Sequence, residues 1–306
     1  MTAAFSVPRA ERAWDARCLL GEGCVWDVAG QRLLFVDIKQ PAVHAYTPTT
    51  GATQRWAMPE KIGWLLPRRQ GGWLAGLASG VATLTWPAGG DAATDPELTW
   101  LHRLHERGSP MRLNDAKADA RGRLWFGTMN NQDEQQPVGR LYRLDADGTL
   151  HVVDEGYHVT NGPTFSRDGR TLFHTDSVQR RIYAFDVDDR GALHRKRVWK
   201  RIEGGDTEEG YPDGMCTDVD DHLWVARWGA GCVTRLDPDG REVARIATGA
   251  PRTTNCAFGG PAFADLYITS ARIGLDAAAL AAAPDSGALF VARAAGRGCA
   301  PGVWDG

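Results

Sequence analysis

Asp213, in Tyr211-Pro-Asp-Gly214, lies about eleven residues ahead of an apolar-aromatic run, Leu223-Trp-Val225, and the same layout recurs three times. Glu22 stands a similar distance before Leu33-Leu-Phe35, Asn114 before Leu124-Trp-Phe126, and Asn161 before Leu172-Phe173. Carboxylates and amides at one position of a repeating unit converge if the repeat closes into a ring. Such a mouth is a hard, oxygen-only site, suited to Ca2+, Mg2+, Mn2+ or Fe2+ and poorly suited to structural zinc. A small donor set leaves positions open for water or substrate, which Lewis-acid catalysis requires. Arg112 stands two residues before Asn114, on the same strand face by the period of two, and its guanidinium fork could hold polar substrate oxygens.

Each of these short segments has a plainer reading. Asn161-Gly-Pro163 and Pro212-Asp-Gly214 are common turn sequences, Gly21-Glu-Gly23 could be a loop with one exposed acid, and Arg112 could pair with Asp115. Their matching positions in the repeat favour the functional reading. No G-x-S-x-G elbow, H-E-x-x-H pair or phosphate loop occurs. The eight histidines are scattered, and His174 reads as a packed strand residue. Nucleophilic Ser or Cys catalysis has no support.

The elements that must position these groups are strands. The unit is D-x-x-G, then Leu-aromatic, then a second alternating run: Asp27-Val-Ala-Gly30 into Leu33-Leu-Phe-Val-Asp37, and Asp119-Ala-Arg-Gly122 into Arg123-Leu-Trp-Phe-Gly-Thr128. Further copies begin at Arg69-Gln-Gly-Gly72, Ser166-Arg-Asp-Gly169, Asp218 and Gly259. Six copies, roughly 40 to 50 residues apart, match the period of four-stranded propeller blades. The expected fold is all-β, a six-bladed β-propeller with four-stranded antiparallel blades around a central channel, forming one domain over residues 1–306. The D-x-x-G turn joins the first two strands of a blade, with Gly supplying the unusual backbone conformation. The aromatic on the second strand packs between blades. Residues such as Ala13-Trp-Asp-Ala16 supply a strand that closes the ring on the sixth blade. Gly89 to Pro96 reads as a loop, and Ile273 to Ala283 as a helix-forming insertion in the last blade.

In a propeller the first strand of each blade lines the channel. At the offset of Asp213 the six blades place Glu22, Ile62 or Gly63, Asn114, Asn161, Asp213 and Asn255, five of them oxygen or amide groups. Composition agrees with a small-molecule site. With 24 % charged residues and a net charge of -3, no basic excess points to nucleic acid or an anionic membrane. The six cysteines form no CxxC pair and no zinc spacing, so they read as reduced thiols, mostly buried. Met1 to Arg12 has no apolar leader core, and no run of 18 apolar residues occurs, from which a cytoplasmic location is expected; the chain is read separately as a monomer.

Leu20-Gly-Glu-Gly23 with Trp26, Phe35-Val-Asp-Ile38, Arg112-Leu-Asn-Asp115, Gly122-Arg-Leu-Trp-Phe-Gly-Thr-Met129, Thr160-Asn-Gly-Pro163, Phe173-His-Thr-Asp176, Tyr211-Pro-Asp-Gly214 and Phe258-Gly-Gly260 resemble the senescence-marker-protein/gluconolactonase family of regucalcin-like six-bladed propellers. The match runs from about Gly21 to Arg293 in order, and is nearest to the bacterial sugar-lactonase branch. The resemblance implies one divalent metal ion (Ca2+, Mg2+, Mn2+, Fe2+ or Zn2+) held by Glu22, Asn161 and Asp213. It implies substrate contacts from Arg112 and Asn114. The acid that follows the GTM segment in regucalcin-like members aligns near Gln132, with Asp133 or Glu134 as replacements.

The implied activity is a carboxylic-ester hydrolase that opens a glucono-, xylono- or arabinonolactone, with the metal polarising the carbonyl and Asp213 helping to take a proton from water. Two other classes compete: a non-catalytic propeller that binds a metal or a protein, and an esterase or phosphotriesterase on the same scaffold.

Overall fold

The computed structural model describes residues 9–86 and 95–306. Six four-stranded antiparallel sheets make up the fold, five of them meanders in which sequence neighbours pair and the sixth completed by a strand from the N-terminal side. Their first strands are Gly21–Asp27, Ile62–Pro67, Met111–Ala118, Thr160–Phe165, Tyr211–Thr217 and Thr253–Gly259. Each of these packs against the first strand of the next blade, and the sixth returns to the first. The molecule is a six-bladed β-propeller around a central channel, as the repeat predicts.

Ring closure is borrowed from the N-terminal side. Leu289–Ala292 is the third strand of the last blade, and its outer neighbour is Glu11–Trp14, with Glu11 opposite Val291. The closing strand thus lies slightly ahead of the Ala13–Ala16 segment. The only helix among the described residues, Ala277–Ala282, falls inside the predicted insertion and is capped by the Asp276 carboxylate accepting from Ala279 N. Most of the Gly89–Pro96 loop expectation lies outside the described residues. No helix among the described residues is long and apolar enough to cross a membrane.

In the third and fifth blades the turn at the base of the inner strand is tied to the second strand by one aspartate. Asp119 Oδ1 accepts from Arg121 N and Arg123 N, while Oδ2 accepts from Trp125 Nε1 at 2.9 Å. Asp218 repeats this with Asp220 N, His222 N and Trp224 Nε1. Each buried indole donor is thereby satisfied, and the ring it orients packs across the blade boundary. Trp125 meets Phe165 at 5.8 Å between centroids, and Trp224 meets Phe258 at 5.6 Å. The expected turn glycine takes a positive φ in Gly122 and Gly169, but in the first and fifth blades Gln31 and Asp221 take that conformation instead.

All six inner strands share a feature that the repeat does not announce. Each carries one extra residue relative to its neighbour: between Glu22 and Val25, Ile62 and Trp64, Leu113 and Ala116, Asn161 and Thr164, Pro212 and Met215, and Thr253 and Asn255. A bulge of this kind bends the strand and re-aims a side chain. In the second blade the bulge falls at Gly63, where a Cβ would stand 2.4 Å from Asn114 O. The backbones approach too closely there for any side chain, so that blade contributes none.

Asp218→Ala is expected to lower unfolding free energy by about 1–3 kcal/mol, because it orphans the Trp224 indole and two turn N–H groups. The exposed Asp220→Ala should change it by less than about 0.5 kcal/mol. Urea denaturation of both variants measures the difference.

Candidate active site

At the end of the channel away from the D-x-x-G turns lies a cavity of about 440 Å³. Glu22, Arg112, Asn114, Asn161 and Asp213 all line it. The bulges explain why: Glu22, Asn114, Asn161 and Asp213 each stand at or within the extra-residue step of their strand, which turns the side chain toward the axis. Gly23 at φ +56 faces Gly63 O, and a Cβ there would stand 2.6 Å from it. Only glycine follows Glu22 without clash or strain.

The amides are oriented by their partners. Ser177 Oγ donates to Pro212 O at 2.6 Å, so it accepts from Asn161 Nδ2 at 2.8 Å. That leaves Asn161 Oδ1 on the cavity side, where Asn114 Nδ2 donates to it at 3.0 Å. Asn114 Nδ2 also donates to Thr160 O, and Asn114 Oδ1 accepts from Arg112 Nη1. Arg112 Nε donates to Asn131 Oδ1 at 3.0 Å. The alternative pairing of Arg112 with Asp115 is not formed. Among the described residues no carboxylate lies within ion-pair distance of this guanidinium, which is only 4 % exposed.

Sequence reasoning missed Asp115 as a channel residue. It occupies, after Asn114, the place that Gly holds after Glu22, Asn161 and Asp213, and that substitution is the signal. Its Oδ1 accepts from Ala116 N at 2.7 Å and its Oδ2 from Gly162 N at 3.1 Å. Asn255 reaches the predicted height but lies beneath the cavity floor. Its Nδ2 donates to Glu22 Oε2 at 3.0 Å and to Asp115 Oδ2 at 3.4 Å, bridging two acids. Of the three rim positions, Glu134 lines the cavity, while Asp133 accepts from Gln135 N and Gln136 Nε2. Gln132 is exposed and absent from the lining.

Three carboxylates share this low-dielectric end of the channel. Burial, and then the Asp115 charge, push Glu22 up to about 7, against the opposing donors Asn255 and Gly23 N and the Arg112 charge. Burial and the charges of Glu22 and Asp115 raise Asp213 well above the usual carboxylate range. Burial raises Asp115 too, with Lys117 opposing. Burial draws Arg112 down to about 10, against Glu134, Glu22 and Asp213. Buried like charges disfavour ionisation, and a cation between them removes the penalty.

The donor set fits a hard divalent cation. Glu22, Asp213 and the amide oxygen of Asn161 are all oxygen donors, and no cysteine or histidine lines the cavity. No three His, Cys, Asp or Glu side chains among the described residues are arranged to hold a metal by themselves. A cation here must therefore draw on the amide and on open positions, as a site that admits substrate does.

A propeller with an open, oxygen-lined site at one mouth defines the class of protein. The chain belongs to the SMP-30/gluconolactonase/LRE-like family, whose model matches residues 20–272. It is 36 % identical over 261 residues to pentonolactonase XacC of Haloferax volcanii, covering 85 % of this chain and 84 % of that one. It is 34 % identical over 274 residues to regucalcin of Danio rerio, covering 89 % of each. Among solved structures, a calcium-binding regucalcin from Agrobacterium tumefaciens superposes with a TM-score of 0.88 at 28 % identity, over 97 % of this chain and 98 % of that one.

With no cation bound, the raised pKa of Glu22 means that the folded protein holds a proton which the unfolded chain releases near 4.5. Its stabilising contribution is complete below pH 4.5 and is lost as pH rises toward about 7. Denaturation in chelator should therefore show wild type losing stability relative to Glu22→Gln across that window, and added divalent cation should reverse the trend, because ligation favours the ionised carboxylate and stabilises wild type more than the variant.

Proposed function

We propose that the protein is a metal-dependent sugar lactonase, which opens an aldonolactone such as glucono-, xylono- or arabinonolactone to the aldonic acid. The observation that carries this reading is one cavity holding two carboxylates, Glu22 and Asp213, and a guanidinium, Arg112, none of which has an ion-pair partner among the described residues. Family membership and the pentonolactonase relative point the same way.

Glu22, Asn161 and Asp213 would hold the ion. When bound, a divalent cation supplies Lewis-acid polarisation of the lactone carbonyl and charge to offset what develops on its oxygen. Arg112 has its Nε and Nη1 committed to Asn131, Leu113 O and Asn114, so its Nη2 group is free to donate to sugar oxygens. Asn114 holds Arg112 and Asn161 in register and faces the same hydroxyls. Asp213 receives a proton from the water that attacks the carbonyl carbon. As the ring C–O bond breaks, that proton is available to the departing alkoxide, leaving a hydroxyl and a carboxylic acid that releases its remaining proton to solvent as it ionises. Burial and the neighbouring carboxylates strengthen Asp213 as a proton acceptor, and ligation to a cation moderates this.

Asp213→Asn should lower kcat/KM for the best aldonolactone on the order of 10² to 10⁴-fold, the usual worth of a positioned acid or base, and weaken cation affinity measured by calorimetry. Acid release from aldonolactones, hydroxyl-free lactones and an aryl ester, with and without chelator, separates the readings. Hydrolysis of aldonolactones that stops with chelator is expected. Cation binding without hydrolysis of any substrate would instead make the chain a binding propeller, and preference for the aryl ester would make it an esterase.

A further inference from the structure

Arg112 is not the only cation on Asn131. Lys39 Nζ donates to the same Asn131 Oδ1 at 2.9 Å, alongside Arg112 Nε at 3.0 Å. Two cations converging on one neutral oxygen repel each other, and neither has a carboxylate within ion-pair distance among the described residues. Both are withdrawn from water, Arg112 buried and Lys39 half-buried. Lys61 adds a third positive charge nearby, the exposed Glu134 acts on both cations, and Glu22 and Asp213 act on Arg112.

The arrangement is held in place from both sides. Lys39 sits on a turn whose backbone is locked by Asp37, a buried carboxylate that accepts from Leu19 N, Leu20 N, Lys39 N and Gln40 N. Asn131 is anchored by its own N–H donating to Pro110 O at 2.7 Å. The preceding residue, Ile38, lines the cavity, so Lys39 stands at its rim. A side chain needed only for solubility would extend into water and not lie against a second cation.

We propose that Lys39 and Arg112, yoked by Asn131, form an anion subsite at the cavity rim that receives a sugar carboxylate. Arg112 Nη2 and the unspent N–H groups of Lys39 offer donors from two directions, which suits the two oxygens of a carboxylate. The third oxygen and second charge of a phosphate would face Glu134. The carboxylate has two sources: one carried by the substrate at the end remote from the lactone, or the one that ring opening creates. This refinement of substrate class rests on the lactonase reading, but anion binding is measurable without turnover.

The first arm of the test compares kcat/KM for two lactones that differ only in the remote group, carboxylate against hydroxymethyl. A preference for the acidic lactone that falls about tenfold in Lys39→Met, is restored in Lys39→Arg and fades with added salt assigns the subsite to the substrate. The second arm measures inhibition by the aldonate product. A Ki that rises about tenfold in Lys39→Met, with the lactone preference unmoved, assigns it to the product. If neither quantity depends on Lys39 or on salt, the subsite is wrong while the lactonase reading stands. If no lactone is hydrolysed, the lactonase reading fails, and calorimetry of the cation-loaded protein decides. Binding of D-glucarate, but not of neutral sorbitol, that is lost in Lys39→Met retains the subsite, and equal or absent binding of the two rejects it.

Discussion

Glu22 and Asp213 line one cavity, with no cation among the described residues in ion-pair distance of either, and the rest of the channel is organised around their repulsion. Left alone, the two acids are held partly protonated by burial and by each other. The fold tolerates the arrangement because its walls do not yield. Each donor sits on an inner strand, and the six strands brace one another in a closed ring. Asn255 supplies one amide to Glu22 and Asp115 at once, which moderates the field without neutralising it. A rigid pocket of like charge cannot relax by swinging its side chains apart. The relief left to it is a proton or an external cation, and at neutral pH protons are scarce.

The blade repeat was legible because its determinants are local. The D-x-x-G turns, the Leu-aromatic runs and the alternating second strands lie within a dozen residues of each other, so spacing alone placed Glu22, Asn114, Asn161 and Asp213 at one height. The turn glycine was legible only in part, since Gln31 and Asp221 adopt the positive φ in two blades and the aspartate carries more of the turn than the glycine does. What could not be read depends on contacts between blades. Asp115 looked like an ion-pair partner for Arg112, but the bulge turns the two apart and sends Asp115 to Gly162 N on the next blade. Asn255 stands at the expected height but spends its amide on Glu22, more than 200 residues away in sequence. Lys39 lies on a top loop with no repeat to mark it, and Glu134, on another, was singled out only by the family resemblance.

The two mouths of the channel divide the work between scaffold and recognition. At the base, the inner strands end in short turns, and the C-terminal segment crosses them, with Trp304 N donating to Pro67 O and Asp305 N to Gly122 O. The smaller cavity there, about 240 Å³, is lined by Lys117 and the thiols Cys24, Cys216 and Cys299. Burial pushes the Cys24 thiol far above its ordinary range, so it is a packing group and not a nucleophile. Lys117 is drawn on by Asp115, which places a cation on the far side of the acid cluster and screens it from below.

At the upper mouth the connections are longer and carry the chemistry that distinguishes ligands. The segment before Tyr211 is strapped down by Glu209, which accepts from Arg227 Nη2 at 3.0 Å and from Arg245 Nη2 at 2.9 Å. The Arg180 guanidinium lies 4.2 Å over the Tyr211 ring. These contacts brace the part of the cavity wall that Tyr211 lines. Groups that would face the ion sit on strands, where a shift would break the ring, whereas Lys39, Glu134 and Tyr211 sit where loops join strands and substitution disturbs little packing. A family built this way can keep one centre and change its ligand by altering the rim. Substrate class is therefore to be sought in the charges on those loops.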